Sequence, residues 1–268
     1  MRILVCVKHV PDLQSNRGFT PERRVRRTAE DGTMNEVDEN AVEAALQLVA
    51  GAGAPGGAHQ VIALTLGPDE AADALRRALQ MGADRAVHLL DDAFAGSDYF
   101  GTAAALAAGV RHVAAQGEVD LVLTGMAALD GLGSVVPALL SAELDWPQLT
   151  VAAHLELADG HLVARRELDG VTETLRAPLP VVVGVTDLIN TPRFPKFKDI
   201  MAARSKEIET LTAADLGLDP ASVGASGART RVLRAEPRPP RPEPELVTDD
   251  DGSGGRALAD YLIRHDLI

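Results

Sequence analysis

Short apolar runs alternate with amphipathic stretches over the first half of the chain. The runs are rich in branched aliphatic residues and have the length of buried strands: 2–8, 59–66, 86–90 and 120–124. The stretches between them repeat apolar residues at helical spacing: 38–50, 69–81, about 97–115 and 134–143. A strand followed by a helix, repeated four times, predicts a fold of the α/β class with a doubly wound, mostly parallel sheet.

The pattern changes after Trp146. Alternating segments are separated by the turn signals Asp159-Gly160 and Asp169-Gly170, which predicts a small β-hairpin excursion from 155–157, 161–167 and 172–176. Val181–Val185 reads as a strand that returns to the main sheet. An earlier polar stretch, 11–36, carries a crowd of arginines and is interpreted as a surface excursion.

The last part of the chain is expected to be extended. Residues 188–206 form a loop interrupted by prolines that leads into a short helix. Residues 236–245 contain five prolines in ten residues, which favours an extended linker. An amphipathic helix follows at 255–268. We therefore predict a nucleotide-binding α/β domain at 1–210, which includes the 188–206 loop, and a linker with a C-terminal arm at 211–268.

Composition narrows the functional classes. The net charge is −13 and aromatic residues make up only 3% of the chain, which is a poor match to proteins that bind nucleic acid or an anionic membrane. The single cysteine, Cys6, excludes a disulfide scaffold and favours a reducing compartment, so a cytoplasmic location is expected. The histidines show no metal-ligand spacing and no nucleophile motif is present, so we expect neither a metal site nor catalytic apparatus.

Candidate chemistry lies where the predicted strands end. Parallel strands place the segments 6–9, 66–68 and 125–134 at one sheet edge, where ligands of such folds bind. The Gly-rich run 125–137 could hold a phosphate with backbone N–H groups and the hydroxyl of Ser134, or could be an ordinary turn. Asn35 and Asp38 bracket the start of the first helix. At least one of them is expected to cap this helix, and a contact with a ribose or adenine is a further possibility. These residues predict a nucleotide-binding protein.

Several longer stretches resemble one family. They include ILVCVKHVPD at 3–12, RELDGVTET at 166–174, LPVVV at 179–183, TDLINTPRF at 186–194 and IMAA at 200–203. Together they resemble the signature of electron-transfer flavoprotein beta subunits, in order and with family-like spacing from residue 2 to about 210. The variants at 130–133 and 192–197 resemble the actinobacterial branch.

The resemblance implies an adenine-nucleotide alpha-hydrolase-like sheet and two cofactors. FAD would be shared with an alpha subunit that carries most of its binding domain, and structural AMP would lie in the crevice of this chain. The adenine and ribose side corresponds to Cys6, Asn35, Glu36, Val37, Asp38 and Leu66. The phosphate side corresponds to Gly125, Met126, Asp130, Gly131, Leu132, Gly133, Ser134, Val135 and Val136. Many relatives have polar side chains where this chain has glycine and valine, so backbone N–H groups would hold most of the phosphate.

The resemblance also implies partners. The loop at 188–206 would be a recognition loop for dehydrogenases, with Phe197 as an apolar anchor between Lys196 and Lys198. The alternative is that Phe197 packs into its own domain. Glu167 matches a glutamate that can pair with an arginine of the alpha subunit, and Leu13 stands where relatives approach the flavin ring. The C-terminal arm would pack on the alpha subunit or fold back on its own domain.

The implied function is electron transport without substrate chemistry of its own. Electrons would come from acyl-CoA dehydrogenases of fatty acid β-oxidation and from similar enzymes, and would leave to a membrane-bound flavoprotein–quinone oxidoreductase. Two alternatives remain open at this point. One is an electron-bifurcating flavoprotein with a second FAD in the crevice, and the other is a stand-alone adenine-nucleotide-binding sensor.

Overall fold

A computed structural model of the chain describes residues 1–15, 17–52, 59–241, 243–244, 246–248 and 252–268. By its contacts the chain divides into two compact units, Met1–Arg234 and Ala235–Ile268.

The first unit contains the strands and all but the last of the described α-helices. Its strands are β1 (Arg2–Cys6), β2 (His9–Pro11), β3 (Gly32–Met34), β4 (Gln60–Leu66), β5 (Arg85–Leu89), β6 (Leu121–Gly125), β7 (Gln148–Ala152), β8 (His154–Ala158), β9 (His161–Leu168), β10 (Val171–Pro178), β11 (Val181–Val185) and β12 (Ile208–Leu211). Its helices are α1 (Glu36–Gly51), α2 (Ala72–Met81), α3 (Tyr99–Ala115), α4 (Val136–Leu144), α5 (Phe197–Ser205) and α6 (Gly224–Gly227).

Seven strands form the central sheet in the order β12-β5-β4-β1-β6-β11-β7, and every pairing between them is parallel. The predicted α/β class with a doubly wound sheet is confirmed. The order in which strands are added to the sheet reverses between β1 and β6: the strands that follow β1 lie on one side of it, beginning with β4, and those that follow β6, β7 and β11, lie on the other side. Such a switch point opens a crevice outside the carboxyl ends of the two strands.

Alternation along β1 explains the layers. Ile3 and Val5 pack into the apolar cluster that includes α1, α2 and α5, while Leu4 and Cys6 pack into the cluster with α3 and α4. Both faces of the strand are therefore buried, as expected for a parallel sheet covered by helices on each side. The few aromatic residues leave this core to aliphatic side chains and alanine.

The predicted β-hairpin excursion is a three-stranded antiparallel sheet in the order β10-β9-β8. Both turn signals lie where predicted, between β8 and β9 and between β9 and β10. Leu162, Ala164 and Ala177 are buried in the cluster that contains α1, so the small sheet extends the main core. In the stretch 11–36, β3 pairs with β2 in a short antiparallel ribbon.

Two edge strands were not predicted from the sequence. β7 pairs with β11, and β12 pairs with β5 at the opposite edge. Edge strands bury less of their surface than central ones, so their sequences, QLTVA and IETL, mix polar and apolar residues and lack a continuous apolar run.

The first compact unit ends at Arg234, later than the boundary expected at 210. Ala213 and Val223 are buried in the core after β12. The carboxylate of Asp98 accepts the N–H groups of Phe100 and Gly101 at the start of α3, and its second oxygen accepts the N–H groups of Arg229 and Thr230 at 2.8 Å each. One side chain thus caps a helix and fastens the end of the unit.

The second unit contains α7 (Gly254–Arg264). Leu258 and Ile263 of this helix are exposed. In the expected linker, 236–245, Pro242 and Glu245 lie outside the described residues, and the other positions have no helix or strand. Among the described helices, none combines the length and the apolar character that crossing a membrane requires.

Replacing Asp98 separates its two roles. Asp98→Ala should lower the free energy of unfolding by about 1–2 kcal/mol, the range of a lost helix cap. Asp98→Ser keeps a capping hydroxyl but is too short to hold Arg229 and Thr230, so it should mainly increase amide hydrogen exchange at 224–234. Equal exchange in wild type and Asp98→Ser would contradict this role.

Candidate functional site

Three predicted segments meet at the carboxyl edge of the central sheet. β4, β1 and β6 are neighbours, and they end at Leu66, Cys6 and Gly125. The loop after β4 is fixed by buried His88, whose Nε2 donates to the carbonyl oxygen of Gly67 at 3.0 Å. The fold therefore brings the predicted crevice residues of all three strands together.

Asn35 joins the start of α1 to the loop after β6. Its side chain is fully buried, donates to the carbonyl oxygen of Ala127 and accepts the N–H of Leu129, both at 3.0 Å. It stands at the N-cap position but makes no side-chain cap. The expected capping role is wrong for this side chain, because its partners lie in a loop far along the chain.

Asp38 joins the same helix to two strand ends. It lies inside α1, so its prediction as an N-cap is also wrong. One carboxylate oxygen accepts the N–H of Lys8 at 2.8 Å and the other accepts the N–H of Gly125 at 3.2 Å. A methyl group at Gly125 would lie 2.5 Å from Oδ1 of Asp38, so only glycine permits this approach.

The environment of Asp38 changes its acidity. Burial raises the pKa of its carboxyl to about 7, although hydrogen bonds from the backbone N–H groups of Lys8 and Gly125 favour the ionised form. Burial, assisted by the charge of Asp38, also raises the pKa of the Cys6 thiol far above its ordinary value. Cys6 is therefore a neutral, buried thiol in the wall of the crevice.

The Gly-rich segment after β6 has a backbone suited to an anion. Leu132 and Ser134 adopt left-handed conformations with φ of 48° and 53°, and the backbone of Gly133 lies against the ring of Tyr99. Among the described residues, no hydrogen bond is formed by the N–H groups of Ser134, Val135 or Val136. Unpaired N–H groups at the start of α4 are a favourable place for a phosphate.

The side chain of Asp130, predicted on the phosphate side, is paired with two basic residues and does not extend into solvent. Its side chain is fully buried and contacts Lys8 Nζ at 2.9 Å and Arg27 Nη2 at 2.5 Å. Burial alone would raise the pKa of the Asp130 carboxyl, but the charges and hydrogen bonds of Lys8 and Arg27 outweigh it, so its pKa lies below the ordinary value.

The other predicted nucleotide contacts surround this centre. Glu36 is exposed at the first turn of α1, and Val37, Leu66, Met126 and Val136 are partly buried. Met126 is fixed by its N–H, which donates to the carbonyl oxygen of Val185 at 2.8 Å. Gly131, Leu132, Ser134 and Val135 are exposed along the loop. The structure brings them to one edge of the sheet.

A second surface is formed by the loop at 188–206, which follows β11 and is anchored on α1 by side-chain contacts. Asn40 and Asn190 exchange hydrogen bonds, each amide donating to the other backbone, at 2.9 and 3.0 Å. Buried Glu43 receives the guanidinium of Arg193 at 2.6 Å. Beyond these anchors, Phe197 is 78% exposed, so packing into its own domain does not occur.

The remaining predicted partner residues are also accessible. Lys196 and Lys198 are exposed on either side of Phe197. Glu167 is exposed near the end of β9, with Arg165 at 3.7 Å, and Leu13 is 48% exposed. Each of these side chains is available to a partner surface.

Several contributors were missed at the sequence level. Lys8, Arg17 and Arg27 contact the loop after β6, and Tyr99 supports its glycines. The cluster of arginines in 11–36 was the sequence signal for these contacts, but sequence spacing does not indicate which of the arginines faces the crevice.

A cavity of about 540 Å³ lies at the amino-terminal edge of the sheet, away from the crevice at the carboxyl edge, and is lined by Met1, Arg2, His59, Gln60, Gly117, Glu118 and Asp120. Within the described ranges, no group of three or more His, Cys, Asp or Glu side chains is placed to hold a metal ion.

The raised pKa of Asp38 predicts a specific pH dependence. A carboxyl with a higher pKa in the folded than in the unfolded chain binds more protons when folded, so its contribution to stability falls as pH rises from about 4 to 7. Asp38→Asn resembles the protonated form and cannot titrate. Urea unfolding of both proteins should show wild type losing up to about 4 kcal/mol relative to the variant across this range. Parallel pH profiles would contradict the assignment.

The chain is similar to known proteins along most of its length. The sequence model of the family described as "Electron transfer flavoprotein domain" matches residues 24–216. The chain is 41% identical to the electron transfer flavoprotein subunit beta of Mycobacterium tuberculosis over 99% of both chains. It is 34% identical to the corresponding subunit of Megasphaera elsdenii, covering 98% of this chain and 97% of the other.

A third relative carries a different name. The Caffeyl-CoA reductase-Etf complex subunit CarD of Acetobacterium woodii is 34% identical over 92% of both chains. The higher identity to the mycobacterial protein agrees with the resemblance to the actinobacterial branch. A family match over most of the chain, together with relatives matched along nearly their whole length, shows that this chain belongs to the electron transfer flavoprotein family as a beta subunit.

Proposed function

We propose that this chain, as the beta subunit of a flavin-associated heterodimer, binds AMP in its own crevice and shares FAD with its alpha subunit. Proteins of this family transfer electrons and do not transform a substrate of their own. The observation that carries the AMP proposal is the row of unpaired N–H groups at Ser134–Val136, at the carboxyl edge of the sheet.

The residues of the crevice fit a nucleoside monophosphate such as AMP. Alternating left-handed residues in a Gly-rich segment turn successive N–H groups to the same side, which favours an anion, and the start of α4 adds its dipole. The hydroxyl of Ser134 supplies one further donor. Near the other end of the crevice, Cys6 and Leu66 offer an apolar wall for a base, with Val37 partly buried nearby.

FAD, when bound, supplies the redox chemistry by accepting and releasing electrons. The residues of this chain would have supporting roles. Leu13 is exposed after β2 and would form part of the wall beside the flavin. Glu167 would pair with an arginine of the alpha subunit, which requires its carboxylate to leave the weak 3.7 Å contact with Arg165. Of the predicted C-terminal arm, 211–268, the part that lies beyond the first compact unit, 235–268, would pack on the alpha subunit.

The surface around Phe197 is the proposed docking site for electron donors. An exposed aromatic ring between two lysines can fill an apolar pocket while the lysines steer acidic surfaces towards it. The ion pair of Glu43 with Arg193 anchors the base of the loop, so the ring is presented from a fixed support. The proposed donors are acyl-CoA dehydrogenases and related enzymes, and the proposed acceptor is a membrane-bound flavoprotein–quinone oxidoreductase.

The proposed location is the cytoplasm. Cys6 is a free, buried thiol, which suits a reducing compartment.

Nucleotide content tests the cofactor proposal. Acid release from the co-purified heterodimer should give one FAD and one AMP per complex. Two FAD and no AMP would support a bifurcating flavoprotein, and ATP binding by a flavin-free chain would support a sensor.

A pair of glycine substitutions tests the location of the AMP site. A methyl group at Gly133 would lie 2.3 Å from the ring of Tyr99, whereas at Gly51, the last residue of α1, it would meet no atom within 4 Å. Gly133→Ala should therefore reduce AMP affinity about tenfold, which corresponds to about 1.4 kcal/mol. Gly51→Ala is the matched control and should bind AMP within about twofold of wild type. Equal affinities for the two variants would place the phosphate elsewhere.

Docking is tested by the rate at which reduced acyl-CoA dehydrogenase transfers electrons to the heterodimer. Phe197→Ala should lower kcat/KM at least about tenfold, as expected for loss of an aromatic anchor. Leu233→Ala, which removes another exposed apolar side chain, serves as the control and should not change the rate. Lys196→Glu with Lys198→Glu should reduce the rate most strongly at low salt. A salt-independent effect would argue against electrostatic steering.

A further inference from the structure

The loop that precedes the proposed phosphate segment is held by basic residues from the beginning of the chain. Asp130 receives Lys8 at one carboxylate oxygen and the Nε and Nη2 of Arg27 at the other, at 2.9, 2.8 and 2.5 Å. The carboxylate side chain is fully buried, whereas those of Lys8 and Arg27 are 41% and 45% exposed. Two solvent-facing cations therefore close over one buried anion.

A third basic residue holds the neighbouring position. Arg17 donates to the carbonyl oxygen of Leu129 at 2.9 Å and to that of Pro11 at 3.3 Å. Arg17 and Arg27 both belong to the surface excursion after β2. The excursion thus reaches across the edge of the sheet and grips two consecutive residues, Leu129 and Asp130, just before the chain enters the Gly-rich segment.

The Gly-rich segment needs such external support. Leu132 and Ser134 lie in the left-handed region, which side chains other than glycine adopt at a cost. Residues in this region persist only when their surroundings fix them. Within the segment, the N–H groups of Gly131 and Leu132 both donate to the carbonyl oxygen of Ala128, and the carbonyl oxygen of Val135 accepts the N–H of Leu139 at 3.0 Å. Local bonding therefore holds the two ends of the segment but not Gly133 and Ser134 between them.

We propose that Lys8, Arg17 and Arg27 act through Leu129 and Asp130 as a latch that positions Gly131–Val136 for phosphate binding. Asp130 is then a positioning residue and does not itself touch the phosphate. The latch also leaves two net positive charges beside the Gly-rich segment, since its three cations, Lys8, Arg17 and Arg27, meet the single carboxylate of Asp130. This inference rests on the proposed function of the crevice.

Neighbouring arginines provide a matched comparison. Arg27→Gln breaks the double contact with Asp130, while Arg26→Gln removes the same charge from a guanidinium that lies beside Gly18 instead. The full chain, co-expressed with its alpha subunit and freed of nucleotide, is titrated with AMP and with adenosine. Arg27→Gln should weaken AMP at least tenfold and adenosine less than twofold, and Arg26→Gln should change neither.

Amide hydrogen exchange separates failure of the latch from failure of the nucleotide proposal. Exchange at Gly131 and Leu132, whose N–H groups are hydrogen-bonded to Ala128, should increase at least tenfold in Arg27→Gln and in Asp130→Asn, and should stay at the wild-type rate in Arg26→Gln. If wild type binds no AMP but this exchange pattern holds, the proposed function fails and the latch stands. Unchanged exchange in Arg27→Gln, or equal losses for AMP and adenosine, would overturn the latch.

Discussion

The carboxylate of Asp38 is the contact on which the site depends, because it links the ends of two neighbouring strands to one helix. Its oxygens accept the N–H groups of Lys8, just after β1, and Gly125, at the end of β6. The strand order reverses between these two strands, so the loops that follow them lead to opposite sides of the sheet and would otherwise diverge. The buried acid, with Asn35 beside it, sets the distance between the two loops that form the crevice.

This use of polar side chains explains why the proposed nucleotide crevice has few polar side chains left for a ligand. Asn35, Asp38 and Asp130 are all satisfied by protein groups, since leaving them unpaired while buried would be costly. In the proposed site, recognition of a phosphate is thereby left to backbone N–H groups and the hydroxyl of Ser134. Backbone donors are available whatever the side chain, so glycine and valine at 131–136 are compatible with phosphate binding as long as the backbone is held in place.

The sequence predicted the central strands and the location of the crevice, because both follow from local apolar runs and from the rule that parallel strands end at one edge. It failed where the decisive partner is distant. Asn35 and Asp38 look like caps to a local reading, but the groups they bind lie 92 and 87 positions away. The same holds for Arg27, whose partner is 103 positions away and cannot be chosen from four crowded arginines. The edge strands β7 and β12 lack the continuous apolar pattern that reveals central strands.

Helix α1 connects the two proposed working surfaces. Its first turn fixes the crevice through Asn35 and Asp38, and its next turns fix the docking loop through Asn40 and Glu43. All four side chains are buried, and each binds a group more than 80 positions away along the chain. Asp38 also binds Lys8, 30 positions away, and Glu43 also accepts the side-chain amide of Gln47, four positions away. A single helix therefore sets the spacing between the crevice proposed to bind AMP and the surface proposed to dock partners.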